Sequence, residues 1–108
     1  MQVVTKEPGK LPEIRELHND QFREFLGGCM ETVPYGDGYI IVCNDAFLVD
    51  DSPFNCCIGN TMFFGNIFIC GESVVNDLGE HDLVGLTDDQ IESEFFQFLI
   101  GNLIDSVH

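Results

Sequence analysis

From residue 24 to residue 108 the chain has no lysine and no arginine, and nowhere does it have a tryptophan. That cation-free stretch holds fifteen of the nineteen acidic residues, so the whole net charge of −15 lies in it. The other four acids, Glu7, Glu13, Glu16 and Asp20, are matched by Lys6, Lys10, Arg15 and Arg23. With about 25% of residues charged and roughly half of those basic, ordinary composition would put some ten cations in the acidic stretch. Their absence excludes direct binding of nucleic acid, whose phosphates such a surface repels. It also leaves only four cations to hold any anionic substrate.

Long apolar runs are missing too. None approaches the roughly eighteen residues that cross a bilayer, and MQVVTKEPGK has no apolar core of signal-peptide length. A cytoplasmic protein with no membrane partner is expected. The five cysteines, Cys29, Cys43, Cys56, Cys57 and Cys70, are odd in number, and Cys43 and Cys70 sit inside runs that read as buried strands. Reduced thiols in a reducing compartment fit this usage. Gly-x-Ser-x-Gly, the phosphate-cradling Gly-x-x-x-x-Gly-Lys and the Rossmann glycines are all absent. Cys29 after Gly27-Gly28 superficially suggests a nucleophile at a tight turn, but the glycines read better as a helix stop, and no catalytic residues are assigned. His18, His81, His108 and the Cys56-Cys57 pair lack zinc-ligand spacing, and the acid clusters lack that of an EF-hand, so no metal or other cofactor is expected.

What is present is a compact apolar repertoire. Ten Phe and a hydrophobic fraction of 44% in 108 residues suit one domain spanning 1–108, not a disordered acidic tail. The fold class expected is α+β: a mainly antiparallel sheet, a short N-terminal helix and a longer C-terminal helix. Val3 to Thr5 and the segment holding Ile14 and Leu17 read as a hairpin around Glu7-Pro8-Gly9-Lys10, with Pro12 at an edge. Asn19 or Asp20 is expected to cap a helix over Gln21 to Leu26 that Gly27-Gly28 ends. Cys29 to Val33 and Gly38 to Asn44 read as strands, with Ala46 to Val49 continuing or following the second. Asp50 to Pro53 is a loop. Thr61 to Cys70 reads as one bulged strand or a tight hairpin about Gly65-Asn66, and Gly71 to Gly85 as a long surface loop.

Thr87-Asp88-Asp89-Gln90 matches a capping box and opens the last helix with two carboxylates. On one continuous wheel Ile91, Phe95, Phe96, Phe98, Leu99, Ile100, Leu103, Ile104 and Val107 sweep about two thirds of the circumference, leaving Glu94, Gln97, Gly101 and Asp105 as a polar strip. A helix packed on one sheet needs a stripe only somewhat over 100° wide. Such a helix is expected to run through the core, or else to form a homodimer or partner seam.

Several segments together resemble a known family. EPGKLPEI (Glu7 to Ile14), GGCMETV (Gly27 to Val33), IIVCN (Ile40 to Asn44), Pro53 to Asn55, GNIFICG (Gly65 to Gly71) and LTDDQIE (Leu86 to Glu92) are similar to the domain of unknown function 3846 family of Gram-positive bacteria, their phages and conjugative elements. The turn with Lys10 and the Cys43-Asn44 corner are the most specific pieces. The resemblance implies a small α+β domain of mobile elements and no established activity. Around Asp50 to Cys57 basic residues seen in that family are missing, which puts an anion-binding role there in doubt.

A globule of this length is about 34 Å across, a span over which duplex DNA carries about twenty charges. The function expected is therefore that of a non-enzymatic DNA mimic of a phage or mobile element. Its partner would be a host defence or regulatory protein with a basic nucleic-acid-binding surface. Asp77, Glu80, Asp82, Asp88, Asp89 and Glu92 are the candidate contacts, with Asp50 and Asp51 as a second cluster. An alternative is a pocket that sequesters a small ligand or nucleotide through Lys10, Arg15, Asn44 and Asn55. The plainest alternative is a structural or oligomerisation domain whose acid serves only solubility.

Overall fold

The computed structural model describes residues 1–36, 38–45, 52–74 and 81–105. The expected α+β architecture is present, built on a six-stranded antiparallel sheet. β1 (Gln2–Lys6) turns back into β2 (Glu13–Glu16) through the Glu7 to Lys10 turn, closed by Lys10 N–H donating to the Glu7 carbonyl at 3.1 Å. Gly9 there has φ 73°, the conformation a type II turn requires of its third residue. β3 (Met30–Pro34), β4 (Tyr39–Asn44) and β7 (Ile67–Val74) complete the order β2-β1-β7-β4-β3. β8 (His81–Val84) pairs with the far half of β7, so β1 and β8 lie alongside successive parts of one strand.

Strand alternation divides the core. Tyr39, Ile41 and Cys43 of β4 point to one face with Val4, Ile67 and Ile69, while Ile40 and Val42 point to the other with Val3, Phe68 and Cys70. A 3₁₀ turn (Asn19–Gln21) and α1 (Phe22–Leu26) cover the second face, burying Phe22 and Leu26. The cap of that segment is His18 rather than Asn19 or Asp20: its N–H donates to Gln21 Oε1 at 2.9 Å, and Asn19 and Asp20 form the first turn. Gly27, at φ 81°, ends α1 as expected.

The first face is covered by a separate two-stranded sheet and two helices. β5 (Phe54–Ile58) pairs with β6 (Thr61–Phe64), α2 spans Asp88–Glu92 and α3 spans Glu94–Asp105. Phe96, Leu99 and Leu103 of α3 are buried against Cys56, Ile58 and Phe63 of that hairpin and against the sheet. Burial of each such side chain stabilises by about 1.5–3 kcal/mol.

Four further expectations are corrected. Thr61 to Cys70 is neither one bulged strand nor a hairpin: its halves, β6 and β7, belong to different sheets, and Gly65-Asn66 carries the chain between them. Gly71 to Gly85 is not a long loop, because β7 runs on to Val74 and β8 returns beside it. The last helix is broken at Ser93, whose ψ of 148° is extended. Nor does α3 pass through the core: Phe98 is 69% exposed, and Phe95 and Ile104 are also exposed. The expected Ala46 to Val49 segment lies outside the described residues.

Candidate functional site

The densest described carboxylate group lies at the elbow between α2 and α3. Gln2 anchors its approach: the Leu86 N–H donates to the Gln2 carbonyl at 2.8 Å, and Gln2 Nε2 donates to the Leu86 carbonyl at 3.0 Å. Thr87 then caps α2 reciprocally. Gln90 N–H donates to Thr87 Oγ1 at 3.1 Å, and Thr87 N–H donates to Gln90 Oε1 at 2.9 Å. The first turn therefore forms as the sequence predicts, with Asp88 and Asp89 exposed at its start.

Tyr39 locks the elbow. Its hydroxyl donates to the Gln90 carbonyl at 2.8 Å and lies 2.8 Å from Ser93 Oγ, while Gln90 Nε2 donates to the Gly38 carbonyl at 3.1 Å. Ser93 in turn caps α3, its Oγ accepting from Phe96 N–H at 3.1 Å. Phe95 packs its ring 5.3 Å from those of Tyr35 and Tyr39, and Phe96 stacks on Tyr39 at 5.4 Å. These contacts hold Asp88, Asp89, Glu92 and Glu94, all exposed and within seven residues, on a fixed support. The described ion pairs, Met1 amine to Glu16 at 3.0 Å and Lys10 to Glu7 at 3.6 Å, involve none of the four.

Of the candidate contacts, Asp88, Asp89 and Glu92 are thus brought together. Asp82 lies on β8, one short connection before α2. Asp50, Asp51, Asp77 and Glu80 lie outside the described residues. Glu94 was missed as a contact although the sequence places it on the polar strip, and the Ser93-Glu94 pair is a legible helix start. Further exposed acids sit elsewhere, Glu24 on α1 and Glu31 on β3, so the acid is concentrated at the elbow but not confined to one face.

The residues of the small-ligand alternative are dispersed. Lys10 is exposed in the first turn beside Glu7. Arg15 lays its guanidinium 5.5 Å over the Phe25 ring. Asn44 is buried on the α1 face, where its Nδ2 donates to the Leu26 carbonyl at 3.4 Å. Asn55 is buried on the opposite face: Nδ2 donates to the Lys6 and Gly65 carbonyls at 2.8 and 2.7 Å, and Oδ1 accepts from Lys6 Nζ at 2.9 Å. The sheet separates the two asparagines, and each is engaged in holding the fold.

The thiols offer little nucleophilic chemistry where they are buried. Burial pushes Cys43 and Cys56 up to about 11 and Cys70 up to about 12. Cys29 and Cys57 are exposed, and all five are free. Among the described residues no group of three His, Cys, Asp or Glu is placed to hold a metal ion, and no helix is long and apolar enough to cross a membrane.

No curated protein and no solved structure gives a significant match to the chain. A family profile does, over residues 1–99, which takes in the hairpin, both faces of the sheet and the capped start of α3. The chain belongs to the domain of unknown function family DUF3846.

Proposed function

We propose that this protein is a non-enzymatic acidic binding protein of a phage or mobile element. In this reading the α2–α3 elbow occupies the nucleic-acid site of a basic host defence or regulatory protein. One observation carries the reading: Asp88, Asp89, Glu92 and Glu94 are exposed on an elbow hydrogen-bonded to Tyr39, in a chain with no lysine or arginine after Arg23. The molecule is 41 Å long, a length over which duplex DNA carries about 24 charges, and its own net charge is −15. A groove shaped for phosphates meets a comparable field here, felt most strongly at low ionic strength.

Affinity capture from host lysate at low salt, followed by a salt gradient, tests this. Nucleic-acid-binding proteins are expected to be retained and to elute as salt rises. Retention of no protein of that class at low salt overturns the proposal.

A further inference from the structure

We propose that the exposed edge of β2 is a self-association surface, joining two copies of this chain in one continuous antiparallel sheet about a two-fold axis at Ile14. β2 ends the strand order, and among the described residues no strand pairs with its outer side. Which backbone groups face outward follows from the β1 ladder. Leu17 N–H donates to the Met1 carbonyl at 2.9 Å, so Leu17, Arg15 and Glu13 turn their amides and carbonyls toward β1. Ile14 and Glu16 therefore turn theirs outward. Pro12, one step before, presents a carbonyl and has no N–H to leave unpaired.

The side chains are self-complementary in one register only. Centring the axis on residue 13 sets Glu13 against Glu13, on residue 15 Arg15 against Arg15, and on residue 16 Glu16 against Glu16. Centring it on Ile14 sets Glu13 against Arg15 of the second copy and Arg15 against its Glu13. Both pairs fall at non-hydrogen-bonded positions, where side chains approach most closely. Ile14 pairs its outward amide and carbonyl with those of the second Ile14, and each Glu16 amide reaches the Pro12 carbonyl opposite.

Apolar surface on the other face fits the same register. Ile14 is 58% exposed and, with Pro12, Ile91 and Ile100, lines a groove of about 250 Å³ between β2 and the helices. A second Ile14 beside the first extends that apolar strip. Charge also selects this edge. Two molecules of net charge −15 repel, but residues 1–23 carry four acids and four bases, so β2 lies in the one neutral part of the chain. The exposed Phe98 on α3 is less suited to a two-fold contact, because Glu94 and the α2 carboxylates beside it would be brought against their own copies.

The dimer edge and the acidic elbow involve different residues, so either holds without the other. Sedimentation equilibrium up to the millimolar range is expected to show a particle of twice 12.1 kDa. Glu13→Arg and Arg15→Glu each set like charges opposite and should give monomers. Mixing the two variants, or combining them in one chain, should restore the dimer. Ile14→Pro removes an outward N–H and no intrachain ladder bond, so it should be folded by circular dichroism and monomeric. A wild-type chain that stays monomeric, a dimer indifferent to both charge reversals, or one dissolved by Phe98→Asp but not by them, overturns the proposal.

Discussion

Lys6 is fully buried, an unusual position for one of only four cations, and it holds the β5–β6 hairpin to β1. Its ammonium donates to the Glu7 carbonyl and to Asn55 Oδ1, both at 2.9 Å, and desolvation lowers its pKa from 10.5. Unfolded chains therefore bind this proton more tightly, and the contribution of Lys6 to stability rises with pH through the window below 10.5. The buried thiols act in the opposite sense. Cys43, Cys56 and Cys70 are raised from 9.0 to about 11, 11 and 12, so the stability they confer is full below pH 9 and is lost as pH rises through those values. Three thiols outweigh one lysine, and stability is expected to fall between pH 9 and 11. Lys6→Met removes the opposing contribution, so the fall in denaturant midpoint with pH should be steeper in the variant. An equal or shallower fall contradicts this assignment.

At the scale of elements, Ser93 joins two short helices by ending α2 and capping α3. Ser93→Ala loses the cap and the neighbour of the Tyr39 hydroxyl, and is expected to cost about 1 kcal/mol in chemical denaturation. A change under a few tenths would mean that the elbow is held by Phe95 and Phe96 alone. This break separates Ile91 from the apolar residues that follow it. The extended Ser93 takes only Ile91 off the continuous wheel; the wide apolar sweep lies within α3 itself, where Phe96, Leu99 and Leu103 are buried and Phe95, Phe98 and Ile104 on its flanks stay exposed. Elements with local signals were legible: the Pro8-Gly9 turn, the Gly27 stop and the Thr87 capping box. β8 was not, because Gly71, Glu72 and Ser73 on its partner strand look like loop, and only long-range pairing makes them a ladder. β5 was hidden by the register shift between Phe54 and Cys56, which breaks the alternation a strand shows in sequence. At the site, the carboxylates were legible from composition and the capping box. Their support by the hydroxyl of Tyr39, fifty-one residues from Gln90, was not.

Over the whole molecule the charge is uneven. A neutral N-terminal segment supplies β1, β2 and the one cation of α1, Arg23, and the remainder supplies the entire −15. Self-repulsion of that size opposes compaction, and salt screens it. Thermal stability should therefore rise as sodium chloride goes from about 10 mM to about 0.5 M, where the Debye length drops from about 30 Å to a few ångströms. A midpoint that falls over this range would show that ion pairs outweigh repulsion. The radius of gyration of 13.3 Å matches the value of about 13 Å for a compact chain of this length, so the charge is carried on a small surface. The most direct measurement of what that surface does is a competition titration. Duplex DNA bound to a salt-eluted basic partner is displaced by the wild type or by a chain carrying D88N, D89N, E92Q and E94Q. At about 0.5 kcal/mol for each exposed ion pair, the wild type should displace DNA about 30-fold more tightly than the neutralised chain, with an advantage that shrinks as salt rises. Equal displacement by the two chains, or none by either, contradicts the account.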